Sequence, residues 1–186
     1  IKDDGGLSFL AHPFDEPWIY SGLESPANVI PEYAEVTGFE IVNGTIATRA
    51  QNRMAQELWD RYNISGWKRY VGVVNTDGHT KDQVAEVFNA LLMDSHSEEN
   101  IYDAYANGRL YASTGPQLRY TLGGADMGGT AYIPGDTGEA ALDVTAMAED
   151  GAALTKVVAY RFTVSDTVEG IEAAYRKGRS APIVLY

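Results

Sequence analysis

The apolar positions follow two rhythms, and the rhythm changes two thirds of the way along the chain. Leu7, Phe9, Leu10 and Ala11 make a short apolar run ending at His12-Pro13, where proline bars a helix from continuing through the residue before it. It reads as a buried strand. A loop rich in Pro, Gly and Ser leads to a helix expected over residues 27–36. Phe39, Glu40, Ile41 and Val42 then form a second strand ahead of the turn signal Asn43-Gly44. Ile46, Ala50, Met54, Leu58 and Tyr62 recur every four residues, with Ala47 and Trp59 filling the stripe, Thr45 available as a cap and Gly66 just beyond. This is the strongest helix signal in the chain. Residues 70–74, Tyr-Val-Gly-Val-Val, are β-branched and free of charge, as a strand buried on both faces requires. Residues 84–93 fit a helix or a strand, and Ser97 caps a helix running to Asn107-Gly108. Strands alternating with helices imply an α/β fold with a parallel sheet or barrel.

Around Gly115-Pro116 the texture becomes all-β. Short alternating runs at 119–122, 141–146, 157–162 and 183–186 are separated by Gly-rich turns. Residues 166–177 carry a helical face through Val168, Ile171, Ala174 and Tyr175 with Gly178 as its stop; a hairpin also fits, and helix is the reading taken. The expected division is therefore residues 1–116 and residues 117–186.

Composition narrows the function classes. The chain has 186 residues, room for one large domain or two small ones on the order of 100 residues each. Its 14 basic and 26 acidic residues leave a net charge of −12, so its field repels phosphate backbones and anionic lipid, and nucleic acid is not an expected partner. The acidic excess sits in the first part: residues 1–117 carry 8 basic and 17 acidic groups, the remainder 6 and 9. With no cysteine there is no disulfide framework and no thiolate ligand or nucleophile, which leaves the compartment open between cytoplasm and exterior. No apolar run approaches the roughly 18 residues of a membrane span. The glycines form no phosphate-cradling loop.

Three polar clusters each follow directly on a strand: His12, Asn43, and Asp77 with His79. In a parallel sheet those ends share one edge, where loops rooted on rigid strands converge. Two imidazoles and a carboxylate there suit Zn, Mn or Fe. In extended backbone, Asp77 and His79, two apart, would leave the same face. Taken singly, His-Pro serves equally well as a turn and Asp-Gly-His as a capped loop; their joint position favours chemistry. His96, among polar residues ahead of a helix, reads as a solvent-exposed loop residue. Glu40, inside a strand, is either a salt-bridged structural residue or an acid supporting the ligands.

Leu10-Ala-His12-Pro13, Gly38-Phe-Glu40-Ile-Val-Asn43-Gly44 and Val73-Val-Asn75-Thr-Asp77-Gly-His79 resemble, in order and spacing, the later motifs of the PHP (polymerase and histidinol phosphatase) superfamily of metal-dependent hydrolases. The segment from Ile101 to Gly115-Pro116, with Gly108-Arg109-Leu-Tyr-Ala-Ser-Thr, is similar to the stretch that closes the barrel in CehA/McbA-type metallohydrolases. The resemblance implies part of a distorted (β/α)7 barrel followed by a small, sandwich-like β-rich domain. It implies His12, Asp77 and His79 as metal ligands, the latter two catalytic, with Glu40, Asn43 and Asn75 holding them in place and Arg109 touching substrate. The substrate would be a small-molecule ester or phosphoester, hydrolysed with two or three divalent ions. The family's opening His-x-His strand and further ligands have no counterpart here, so the resemblance implies the C-terminal part of an enzyme, inactive alone and completed by an N-terminal barrel segment in cis or as a second chain. The alternative from another class is a non-catalytic module whose β-domain recognises a polymer or protein partner.

Overall fold

The computed structural model describes residues 4–14, 35–44, 47–83, 87–133, 135, 138–148 and 154–185. Strands β1 (Phe9–Leu10), β2 (Gly38–Asn43) and β3 (Val71–Asn75) form a parallel sheet in the order β1-β2-β3. The crossover between β2 and β3 is helix α1 (Arg49–Ser65). From its four-residue stripe Leu58 and Tyr62, with Ala55 beside them, pack against Phe39, Tyr70 and Phe14. The Phe39, Tyr62 and Tyr70 rings meet at centroid distances of 4.7 to 5.7 Å. Thr48 caps the helix in a reciprocal capping box with Gln51, and Gly66 ends it in left-handed backbone. The expected cap, Thr45, and most of the helix expected over residues 27–36 lie outside the described residues.

Because side chains alternate along β2, Phe39 and Ile41 face α1 while Glu40 turns to the opposite face. On that second face Val71 and Val73 pack with Leu110, Phe9, Leu91 and Tyr105.

After β3 the strand-helix alternation breaks. Among the described residues between β3 and β4 (Phe88–Leu91) the one helical element is a 3-10 turn (Lys81–Gln83), and β4 pairs antiparallel with β5 (Leu110–Ser113) across helix α2 (Glu98–Asn107). The ambiguous segment at residues 84–93 is therefore a strand at its centre. Asn89 shows why. Its side-chain amide donates to the Val74 carbonyl at 2.7 Å and accepts from the Val74 N–H at 2.9 Å, closing the outer edge of β3 as a neighbouring strand would. The described residues form four small sheets, none closed into a barrel, and the architecture is mixed α/β.

The last third comprises β6 (Gln117–Leu122), β7 (Ala125–Asp126) and β8 (Leu142–Met147) in one antiparallel sheet, and β9 (Val157–Ala159) with β10 (Ile183–Leu185) in another. Between β9 and β10 lies helix α3 (Val168–Ser180), capped by Thr167, in place of the alternative hairpin. It runs through Gly178 rather than stopping there. A methyl on Gly178 would lie 2.4 Å from the Phe162 ring, so that glycine makes room for an aromatic and does not end the helix. α3 packs on α1, tying the last third back to the first. No helix among the described residues is long and apolar enough to cross a membrane.

Candidate functional site

The three parallel strands end at one edge, and their terminal residues are joined by hydrogen bonds. Glu40, 3% exposed, is the hub. Its Oε2 accepts from the backbone N–H of His12, the residue two beyond β1. Its Oε1 accepts from Asn75 Nδ2 at 3.0 Å. Asn43, 2% exposed at the end of β2, donates from one amide nitrogen to Glu40 Oε2 at 3.5 Å and to Asp77 Oδ2 at 3.0 Å, linking two carboxylates. Among the described residues no Lys or Arg pairs with either acid. Of the two readings of Glu40, the salt-bridged one is therefore not what the structure holds. The donors to the two acids are neutral amides and a backbone N–H.

Asn43 is itself clamped from α1: Asn52 accepts from its N–H at 2.9 Å and donates to its carbonyl at 3.0 Å. Sequence reasoning missed Asn52, which sits on the polar side of a helix with nothing in its spacing to mark it.

Among the described residues, His12 and Asp77 are the non-glycine residues with positive φ, at 26° and 49°. Such backbone is costly and persists where surrounding bonds hold it. For Asp77 it corrects an expectation, because the chain kinks there instead of extending, and alternation does not set its direction relative to His79. What orients His79 is a contact of its Nδ1 with the Asp77 carbonyl at 2.8 Å. A carbonyl only accepts, so Nδ1 carries the proton and Nε2 is the nitrogen with a free lone pair. The His79 ring is exposed, whereas His12 Nδ1 is buried and has no hydrogen-bond partner among the described residues.

His12, Glu40, Asn43, Asn75 and Asp77 are thus brought together. No three His, Asp or Glu side chains among the described residues are grouped to hold a metal ion, so the expected convergence of His12, Asp77 and His79 on one point is not present as a closed cluster. The left-handed turn at Asp77 is the local feature that directs His79 by its own bond to the loop. Arg109 is not brought to this edge either. A methyl on Gly108 would sit 3.5 Å from Val71, so Arg109 enters β5 beside the first residue of β3, about 13 Å along the strand from its last. Its guanidinium pairs with Asp103. His96 is exposed, as expected.

A scan against protein-family models, a search among curated proteins and a search among solved structures each found no match.

Proposed function

We propose that this sheet edge is the ligand-bearing rim of a metal-dependent hydrolase of the PHP type, acting on a small-molecule ester or phosphoester. The observation that carries the reading is His12 Nδ1, buried with no hydrogen-bond partner among the described residues, on a sheet edge where Glu40 and Asp77 are bonded by amides and a backbone N–H and by no Lys or Arg of the described residues. An unsatisfied buried nitrogen costs about 1–3 kcal/mol; a cation in reach of that nitrogen and of Asp77 would relieve both it and the uncompensated negative charge. His12 Nδ1, His79 Nε2 and Asp77 are the residues that would hold it, a nitrogen and oxygen donor set suited to Zn, Mn or Fe. These three are not grouped around one point among the described residues, so sharing one ion would require the exposed His79 to swing toward His12 and Asp77; a cluster of two or three would need ligands from beyond the described residues, in the same chain or a second one.

When bound, such an ion acts as a Lewis acid on the attacked carbonyl or phosphoryl oxygen and makes water acidic enough to attack near neutral pH. The chain's own residues supply orientation. Glu40 fixes the His12 backbone, Asn43 fixes Asp77, and the Asp77 carbonyl fixes the His79 tautomer, the kind of support whose loss typically weakens metal binding about 10- to 100-fold.

The test is calorimetric titration with Zn and Mn, alongside hydrolysis of p-nitrophenyl phosphate and a p-nitrophenyl carboxylate. The chain should bind one ion, His12→Ala and His79→Ala should abolish binding, and Glu40→Gln should weaken it by the same 10- to 100-fold. Hydrolysis should require the polypeptide that completes the cluster and should vanish with chelator. Absence of metal binding, or a completed and metal-loaded protein inactive on both ester types, would overturn the reading and favour the non-catalytic module.

A further inference from the structure

At the opposite end of the sheet, a cleft of about 380 Å³ opens between the α1 face of β3 and the strands β5 and β6. Its size lies in the range of small-molecule sites. Its walls are Ile41, Trp59, Leu110, Tyr111 and Tyr120, and its floor is the backbone of Gly72. A methyl on Gly72 would come within 2.8 Å of Ile41 and 3.2 Å of Trp59, so the bare glycine keeps the floor flat.

The obvious donors of the walls are spent inside the protein. Trp59 Nε1 and Asn63 Nδ2 both donate to the Tyr70 carbonyl, at 2.7 and 3.2 Å. The one charged residue in the described lining is Arg69. It differs from Arg61, Arg109 and Arg179, each of which has a carboxylate partner. Arg69 donates instead to three neutral oxygens: the Asn107 carbonyl at 3.4 Å, the Gly129 carbonyl at 3.2 Å and Thr130 Oγ1 at 3.1 Å. These bonds hold the guanidinium at the cleft while using three of its five N–H groups. Its charge meets no carboxylate among the described residues.

We propose that this cleft binds a small aromatic carboxylate, its ring against Trp59 and the two tyrosines and its carboxylate on Arg69. A planar ring fits between aromatic walls, and a guanidinium with spare donors in a pinned position suits a carboxylate by charge and fork geometry. In a chain of net charge −12, general attraction of anions is not available, so an anion that binds must be held by a local cation. The site is separate from the sheet edge where His12 and Asp77 lie, and the proposal does not depend on hydrolase activity.

The experiment is titration of the chain with benzoate, 4-hydroxyphenylacetate and the neutral isostere benzamide, followed by calorimetry and by amide chemical shifts. The carboxylates should bind saturably, with shifts at Gly72, Tyr111 and Tyr120, and benzamide should bind about tenfold or more weakly, the value of a charge-assisted hydrogen bond. Arg69→Gln should bring the carboxylates down to the benzamide level. Equal affinity for benzoate and benzamide in the unaltered chain would overturn the proposal even if Arg69→Gln disturbed folding, as would saturable binding with shifts confined to other regions, or no saturable binding.

Discussion

Two regions of this protein bury charge, and they do it in opposite ways. At the sheet edge, Glu40 and Asp77 are held by the amides of Asn43 and Asn75 and by a backbone N–H, with no Lys or Arg among the described residues paired to them. Between α1 and α3, Asp60 and Glu172 each meet a guanidinium: Arg61 bonds Glu172 at 3.1 Å, Arg179 bonds Asp60, and Arg176 bonds Glu172 at 2.9 Å. The same arginines lie on aromatic faces, Arg61 at 3.7 Å from the Tyr175 ring centre and Arg179 at 4.2 Å from that of Tyr160. The second region is closed: both of its acids are paired, and its work is to hold the last third of the chain on the first. The first region is left open, with a free imidazole nitrogen and surplus negative charge. The acids of the second region have their cations built into the fold; those of the first have amides and a backbone N–H.

The largest effect should come from breaking the closed region. The Arg61 side chain is 4% exposed, and it also caps the Glu57 carbonyl at 3.1 Å. Arg61→Ala leaves partly buried acids uncompensated and should cost about 3 kcal/mol, lowering the melting temperature by about 10 °C. His79→Ala, at the exposed margin of the open region, should stay within about 0.5 kcal/mol. Thermal unfolding of both variants by circular dichroism checks the contrast, and equal losses would erase it.

Much of this arrangement was legible in the sequence. Three strands and the helix between β2 and β3 followed from apolar period, and their ends pointed to His12, Asn43 and Asp77. What stayed hidden was carried by groups that leave no period. Asn89 closes a strand edge with one side chain, Asn52 clamps Asn43 from a polar helix face, and the α1-α3 contact joins residues more than a hundred positions apart. Apolar spacing shows which face is buried but not what covers it. For that reason the alternation up to β3 suggested a barrel that the antiparallel β4 and β5 do not continue, whereas the helical face at Val168, Ile171, Ala174 and Tyr175 did announce α3.

A smaller effect separates the two carboxyls of the closed region by sign. Burial raises the Asp60 carboxyl above its ordinary value, outweighing the pull of Arg179. Burial acts the same way on Glu172, but the hydrogen bonds from Arg61 and Arg176 prevail and hold it below its ordinary value. Glu172 therefore adds stability that is present above its ordinary pKa and lost as pH falls through its folded value. The Asp60 contribution is present below its ordinary pKa and lost as pH rises through its folded value. Relative to the parent chain, Glu172→Gln should be most destabilised near neutral pH and approach the parent toward pH 4. Asp60→Asn should move the other way, losing ground as pH falls. Urea unfolding at neutral pH and toward pH 4 measures both trends, and slopes of the same sign would show that one cause governs both acids.

The smallest effect tests whether the open region can be loosened while the closed one stays shut, because α1 serves both. Its first turns carry Gln51 and Asn52 to the sheet edge, where Asn52 clamps Asn43 and Gln51 bonds the Phe14 carbonyl at 3.0 Å. Its last turns carry Asp60 and Arg61 to α3. Thr48→Ala removes the side-chain acceptor of the capping box, at a cost of about 1 kcal/mol. That loss frays the first turn and leaves the left-handed end at Gly66 untouched. Hydrogen exchange should therefore quicken at the Asn43 and Asn52 amides, whose protection depends on that turn, and remain slow from Asp60 to Ile64. Uniform acceleration along α1 would mean that the helix opens as one unit and that the two regions are coupled through it.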